Sequence, residues 1–399
     1  MQPSGSPLAQ LRRGHEDLVL DLLRKHGPLS RGELGKRCGL SRTTLYDIIA
    51  GLMASGAVVT AAQEDAAPRG RGRPAETLTL NPDAGQAIGI DFARRAVHVA
   101  AVNVAHEIVG SASEAHAADL PWEDRVELAE RLVGTLTGGS LRLGALSAIG
   151  VGVVGPVGEP EGEEDGRHLD ALPELLVKRF GVPVLVDNNT RLAALAESIW
   201  GAAAGGQDVL YLRLSHGVGG GLVVNGSLHR GAYGLSGEFG HITVEPGGAP
   251  CDCGGAGCLE TVASIRGLLD SYRAAGGRAD DVSALLAAAG AGEEAALGVL
   301  AKAGAQVGAV LAALCNAIGP SVIVIGGELA EAGPALFGPI ERTLTAHILP
   351  ISRHRISLRR GTLGDVAGAL GGIALVLHES PLLSRYPQIP DHIDQLRQP

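Results

Sequence analysis

Between Gly237 and Glu260 the chain reads GEFGHITVEPGGAPCDCGGAGCLE, which places His241, Cys251, Cys253 and Cys258 within eighteen residues. Three thiolates and one imidazole are the ligand set of a closed, tetrahedral structural zinc site. Gly254, Gly255 and Gly257 let the backbone turn back sharply enough for Cys253 and Cys258 to face one ion, a bend that a Cβ resists. The plainer alternative is a disulfide or a buried thiol pair. Three clustered thiols leave one over, however, and nothing in the chain suggests secretion. Structural Zn2+ is therefore the expected cofactor.

Two carboxylates, Glu238 and Glu260, bracket these ligands. Held on a rigid metal loop with no counter-charge nearby, they are suited to accepting hydrogen bonds from the hydroxyls of a polyol. Alone they would read as solvated surface charges. The surrounding run LRLSHGVGGGLVVNGSLHRGAYGLSGEFGHITV, from Leu212 to Val244, followed by CDCGGAGCLE, from Cys251 to Glu260, resembles the signature of the ROK family (repressors, open reading frames and sugar kinases). The resemblance extends from Ala87 to the C-terminal region. It implies an actin-like, two-lobed, sugar-kinase-like body with a sugar in its cleft. It also implies zinc ligation by His241, Cys251, Cys253 and Cys258, and sugar contacts by Asn188, Asn189, Glu238, His241 and Glu260.

Two departures from the kinases of that family bear on catalysis. Where the kinases place glycine and threonine beside the nucleotide phosphates, Asp91 is followed here by Phe92, Ala93, Arg94 and Arg95, so the close backbone approach is lost. Where they carry Asn-Asp, the aspartate taking the proton of the attacking sugar hydroxyl, this chain has Asn188-Asn189. A carboxamide cannot accept that proton, although it can still hydrogen-bond the hydroxyl. Gly217 to Gly221, GVGGG, resembles the family's second phosphate loop between two strands; a plain hairpin is at least as compatible with it.

The N-terminal segment has a different chemistry. Leu18, Val19, Leu22 and Leu23 follow helical spacing up to Gly27-Pro28. Ser30 and Glu33 form a capping-box pattern for a short helix, Arg31 to Cys38, with Leu34 and Cys38 inward. After Gly39, Ser41 caps a helix with an apolar stripe of Leu45, Ile48, Ile49 and Leu52. This is a helix-turn-helix, and the outward residues at the start of its last helix, Arg42, Thr43, Thr44, Tyr46 and Asp47, suit phosphate and base-edge contacts. Val58 to Thr60 and Glu76 to Leu80 read as wing strands. Between them, Arg69, Arg71 and Arg73 alternate with glycine in a cationic tip fitted to a narrow minor groove. An ordinary solvated linker is the alternative for the tip, and a non-binding three-helix bundle for the segment.

In the body, Ile88 to Val104 reads as a hairpin, Val126 to Leu136 as a helix, Ala148 to Val154 and Pro183 to Val186 as strands, and Ser264–Ala275, Val282–Cys315 and Val366–His378 as helices around a strand at Ser321–Ile325. No internal repeat is visible. Ala303 to Gly327 is uncharged, but Gln306, Asn316 and Gly319-Pro320 divide it into a helix and a strand rather than a membrane span. The expected domains are thus a winged helix-turn-helix at 1–82, a first lobe at 83–199 completed by 381–399, and a second lobe at 200–380 carrying the zinc loop and dimer contacts.

Charge follows this division. The 399 residues carry a net charge of −10, yet residues 1–82 hold 11 Lys/Arg against 8 Asp/Glu. Only that part suits nucleic acid. Without an N-terminal signal, a cytoplasmic location is expected. Together these features favour a sugar-responsive, non-enzymatic repressor of carbohydrate-metabolism genes, a homodimer or homotetramer on an inverted-repeat operator, with a monosaccharide or sugar phosphate as effector. An ATP-dependent sugar kinase with an accessory N-terminal domain is the alternative.

Overall fold

The computed structural model describes residues 7–54, 56–61, 76–81, 86–103, 107–136, 148–155, 157 and 172–379. The wing tip with Arg69, Arg71 and Arg73 lies outside them, as does the 381–399 segment.

The N-terminal part contains α1 (Pro7–His26), β1 (Leu29–Ser30), α2 (Arg31–Cys38), α3 (Arg42–Ala54), β2 (Val58–Thr60) and β3 (Thr77–Leu80). The capping box is present: Ser30 Oγ accepts from the Glu33 amide at 3.3 Å, and the Glu33 carboxylate accepts from the Ser30 amide at 2.8 Å. The first helix begins at Pro7, well before the apolar stripe that signals it. Val19, Leu34, Ile49 and Leu78 are fully buried in one core, whereas Cys38 is half-buried at its edge. The three strands pair in the order β1-β3-β2, a small wing sheet against three helices.

The body has two five-stranded sheets. The first contains β4 (Gln86–Phe92), β5 (Ala96–Asn103), β6 (Ile108–Ala115), β7 (Ile149–Val153) and β8 (Val184–Asn188), in the order β6-β5-β4-β7-β8, with α4 (Trp122–Leu136) and α5 (Leu172–Phe180) on one side. From β8 the chain enters α6 (Asn189–Ile199). The second contains β9 (Val209–Leu214), β10 (Val218–Val224), β11 (Ser227–His229), β12 (Val322–Gly326) and β13 (Ser357–Arg360), in the order β11-β10-β9-β12-β13. Each is an antiparallel three-strand meander extended by two parallel strands. The lobes share a topology that the sequence does not display as a repeat.

Helices α7 (Leu259–Ala263), α8 (Ile265–Ala274), α9 (Val282–Gly290), α10 (Glu294–Ile318) and α11 (Pro334–His347) complete the second lobe. The single helix expected over Val282–Cys315 is two, broken where Gly292 adopts φ 83°. Among the described residues α10 alone is long and apolar enough to cross a membrane, but it packs against the other helices of its lobe. Gly304 and Gly308 bring α11 close: a Cβ there would lie 2.7 Å from Leu336 O and 2.6 Å from Ile340 O.

The last helix, α12 (Ala367–Glu379), returns to the first lobe and lies between β4, β7 and α6. A Cβ on Gly89 or Gly150 would come within 1.8 Å of the α12 carbonyls of Ala369 and Gly372. The segment completing the first lobe therefore begins at Ala367, earlier than the 381–399 expected. Glu197 of α6, 1% exposed, anchors the chain entering α12 by accepting from the amides of Thr362 and Leu363 at 2.9 and 3.0 Å.

Candidate functional site

The loop after β11 folds through a short helical turn at Phe239–His241 into a flattened hairpin closed by the Thr243↔Cys258 and Pro250↔Ala256 bridges. Cys251 N donates to Gly255 O and Gly257 N to Ala249 O, both at 2.8 Å. Gly254 and Gly257 have φ 88° and 69°, and a Cβ on Gly257 would meet Glu245 O at 1.7 Å. These turns bring the His241, Cys251, Cys253 and Cys258 ligand atoms within 4.8 Å of one another. Cys251 Sγ lies 3.6 Å from His241 Nδ1, and Cys253 Sγ 3.7 Å from Cys258 Sγ. Metal–sulfur bonds of about 2.3 Å in a tetrahedron give ligand edges of about 3.8 Å, so the donor set fits such an ion. With Nδ1 turned to the thiols, His241 Nε2 faces the Glu238 carboxylate at 3.9 Å, beyond direct hydrogen-bond reach.

The two glutamates are fixed against the start of β10. Glu260, in the first turn of α7, accepts from the Val218 amide at 2.8 Å. Glu238 follows Gly237, whose φ of 97° and contact with Gly220 O exclude a side chain; a third of its own side chain is exposed. Gly217 to Gly221 belongs to a hairpin: Val218 to Gly221 lie within β10, paired with β9. Their glycines admit neighbours, since a Cβ on Gly219 would sit 3.2 Å from Thr190 Oγ1, one on Gly220 2.1 Å from the Phe239 ring and one on Gly221 2.6 Å from Ala194 Cβ.

Asn188 and Asn189 stand where β8 becomes α6. The Asn188 carboxamide caps the helix, accepting from the amides of Thr190 and Arg191 and donating to Gly155 O at 2.7 Å. Asn189, 5% exposed, donates to Asp91 Oδ1 at 3.0 Å. Burial pushes the Asp91 carboxyl above its ordinary range, against the opposing charge of Arg213. Beyond Asp91, Phe92 is core, edge-on to Trp122 at 5.4 Å, and Arg94 and Arg95 are exposed in the hairpin turn.

Sequence reasoning missed the ion pair between these parts. Arg191, 1% exposed, donates to Asp187 Oδ1 at 2.7 Å, to Val157 O at 3.0 Å and to Gly234 O, while Arg230 reaches Asp187 Oδ2 at 2.5 Å. This network ties β8 and α6 to the segment leading to Glu238. Its one sequence signal is the Asp187/Arg191 spacing of four across the junction of β8 and α6.

In the N-terminal part, Arg42, Thr43, Tyr46 and Asp47 are exposed on the first turns of α3. Ser41 Oγ accepts from the Thr44 amide at 3.1 Å and pairs with the Thr44 hydroxyl at 2.8 Å. The Arg31 guanidinium stacks 5.0 Å from the Tyr46 ring centre and pairs with Glu76 at 3.5 Å. Arg69, Arg71 and Arg73 fall outside the described residues.

A sequence model of the ROK family matches residues 87–379. The chain is similar to a glucokinase of Halalkalibacterium halodurans, 40% identical over 223 residues, 51% of this chain and 67% of that one. It is also similar to the DNA-binding transcriptional repressor Mlc of Escherichia coli, 28% identical over 403 residues, 95% of this chain and 97% of that one. Among solved structures, a ROK family transcriptional regulator described as a homologue of the E. coli protein superposes with a TM-score of 0.77 at 26% identity, covering 94% of this chain and 98% of its own.

Proposed function

The chain belongs to the ROK family, and from that premise we propose that it is a sugar-responsive, DNA-binding transcriptional repressor of carbohydrate-metabolism genes, whose kinase-like body binds a monosaccharide or sugar phosphate without phosphorylating it. The observation that carries this reading is the joining of a winged helix-turn-helix to a body in which a buried carboxamide, Asn189, which cannot take up a proton, donates to Asp91. Similarity along nearly the whole chain to a repressor supports it.

Structural Zn2+, held by His241, Cys251, Cys253 and Cys258, stabilises the loop when bound. The protein's own groups do the recognition: Glu238, Glu260 and His241 Nε2 take sugar hydroxyls, with Asn188 and Asn189 lining the cleft. A sugar preferring one closure of the lobes alters how two α3 helices in a homodimer or homotetramer meet an operator, without any chemical step. The proposed location is the cytoplasm.

The test begins with operator fragments selected from genomic DNA by the full-length protein. Fluorescence anisotropy then follows release or tightening across monosaccharides and their phosphates. A responding sugar should lose affinity in Glu238→Ala and Glu260→Ala, each removing charged hydrogen bonds worth about 1.5–3 kcal/mol. The 40% identity to a glucokinase favours a second reading, a kinase with an accessory domain. Sugar-dependent ATP turnover at ordinary kinase rates would establish it and displace the first.

A further inference from the structure

Arg213 stands near the end of β9, and its register partners on both sides are glycines, Gly219 of β10 and Gly326 of β12. Its side chain therefore rises from the sheet uncrowded, beside Tyr211, whose hydroxyl a Cβ on Gly326 would touch at 2.2 Å. One carboxylate, Asp365, approaches it directly and two more, Asp91 and Glu328, act on it electrostatically. Asp91, at the end of β4 in the other lobe, is fully buried, and its Oδ2 has no hydrogen-bond partner; α12 closes over it so tightly that a Cβ on Gly368 would lie 2.2 Å away. Glu328, just after β12, also has a buried, unpartnered oxygen. Asp365, on the segment crossing to α12, places Oδ1 4.0 Å from Arg213 Nη2.

The carboxylates act on the guanidinium as a group. Burial alone would lower the Arg213 pKa, but Tyr211, Asp91, Glu328 and Asp365 together raise it. With the guanidinium in place they form no tight donor cluster: among the described residues the one cluster of potential metal donors that tight is the zinc loop.

We propose that Arg213 is the resident cation of this half of the cleft, sharing its charge among Asp91 of the first lobe, Glu328 of the second and Asp365 of the crossing segment. It thereby sets the closure of the lobes and keeps divalent cations, and nucleotides with them, out. An entering cation meets a guanidinium already in place, and a metal-free nucleotide meets three carboxylates. The proposal deepens the regulator reading, on which it rests, by identifying what replaces a nucleotide.

The test uses the full-length, zinc-loaded protein, titrated with Mn2+ alone and followed by electron paramagnetic resonance, then with a fluorescent ATP analogue and Mg2+. Wild type and Arg213→Lys should leave Mn2+ free. Arg213→Ser and the closer-shaped Arg213→Gln should bind one Mn2+ about tenfold or more tightly than wild type, and adding Asp91→Asn should cancel the gain. No gain in neutral variants that keep wild-type helix content and sugar binding would overturn this proposal alone. Mn2+ bound by wild type and lost in Asp91→Asn would also overturn it, whatever the folding of the Arg213 variants. Sugar-dependent ATP turnover by wild type would remove the regulator reading as well.

Discussion

Cys253 is the most exposed of the four residues proposed to hold zinc. Cys253→Ser should lower zinc from one ion per chain, measured by mass spectrometry of the dialysed protein, and render the Ala249–Cys258 loop open to proteases. Asp91 gives a second prediction. Because the folded state holds its proton more tightly than the unfolded chain, stability should fall as pH rises above the ordinary value of 3.8 through the raised folded value, then level off. Asp91→Asn should remove that decline, read from denaturant unfolding at steps between roughly pH 4 and 8. At this scale the His/Cys cluster was legible because four residues of two rare types fall in one short window. Arg191 was not, since a buried arginine looks like a surface one until its partners, Val157 and Gly234 among them, are brought in from distant segments.

The helix-to-sheet contact of α12 depends on absent side chains. Gly150→Ala should destabilise the body by about 1–3 kcal/mol or more, because the added methyl meets the backbone of Gly372, which cannot rotate aside. Gly298→Ala is the contrasting case. It lies inside α10 with open space around its Cβ position, so it should stabilise by about 0.5–1 kcal/mol. Urea midpoints of the two variants check both signs. Elements with a buried face were readable: the winged segment and the β4–β5 hairpin match their apolar patterns closely. Strand β6 went unnoticed because it is an edge strand, mostly exposed, and so carries no apolar alternation. The glycines of β10 read as a loop since nothing in a sequence shows that Thr190, Phe239 and Ala194 press against them.

For the molecule as a whole, operator binding should be dimeric, with Arg42→Ala weakening it. Neutralising Arg69, Arg71 and Arg73 together should reduce the magnitude of the logarithmic salt slope by up to about 2.7, if each contacts one phosphate. An unchanged slope in filter-binding titrations would show that the wing does not touch DNA. The two-lobed architecture was legible through resemblance to a family. The shared strand order of the lobes was not, because the same topology is here filled with unlike side chains. The return of the chain to the first lobe was expected, but its point of entry was placed too late: the helix that makes the return is Ala367–Glu379.

That return gives the protein an order of assembly. Chains emerge from the ribosome N-terminus first, and domains fold as they are completed. The winged segment has all its strands by Leu80 and can form early. The sheet of the first lobe has all its strands by Asn188, but Gly89 and Gly150 stay uncovered until α12 emerges, after the entire second lobe. A nascent chain thus carries its DNA-reading end finished while the sheet beside it waits for its last helix. Chains interrupted before Ala367 should accumulate as aggregates or protease substrates rather than as unregulated DNA binders, so translation to the last helix acts as a check on which copies reach the genome.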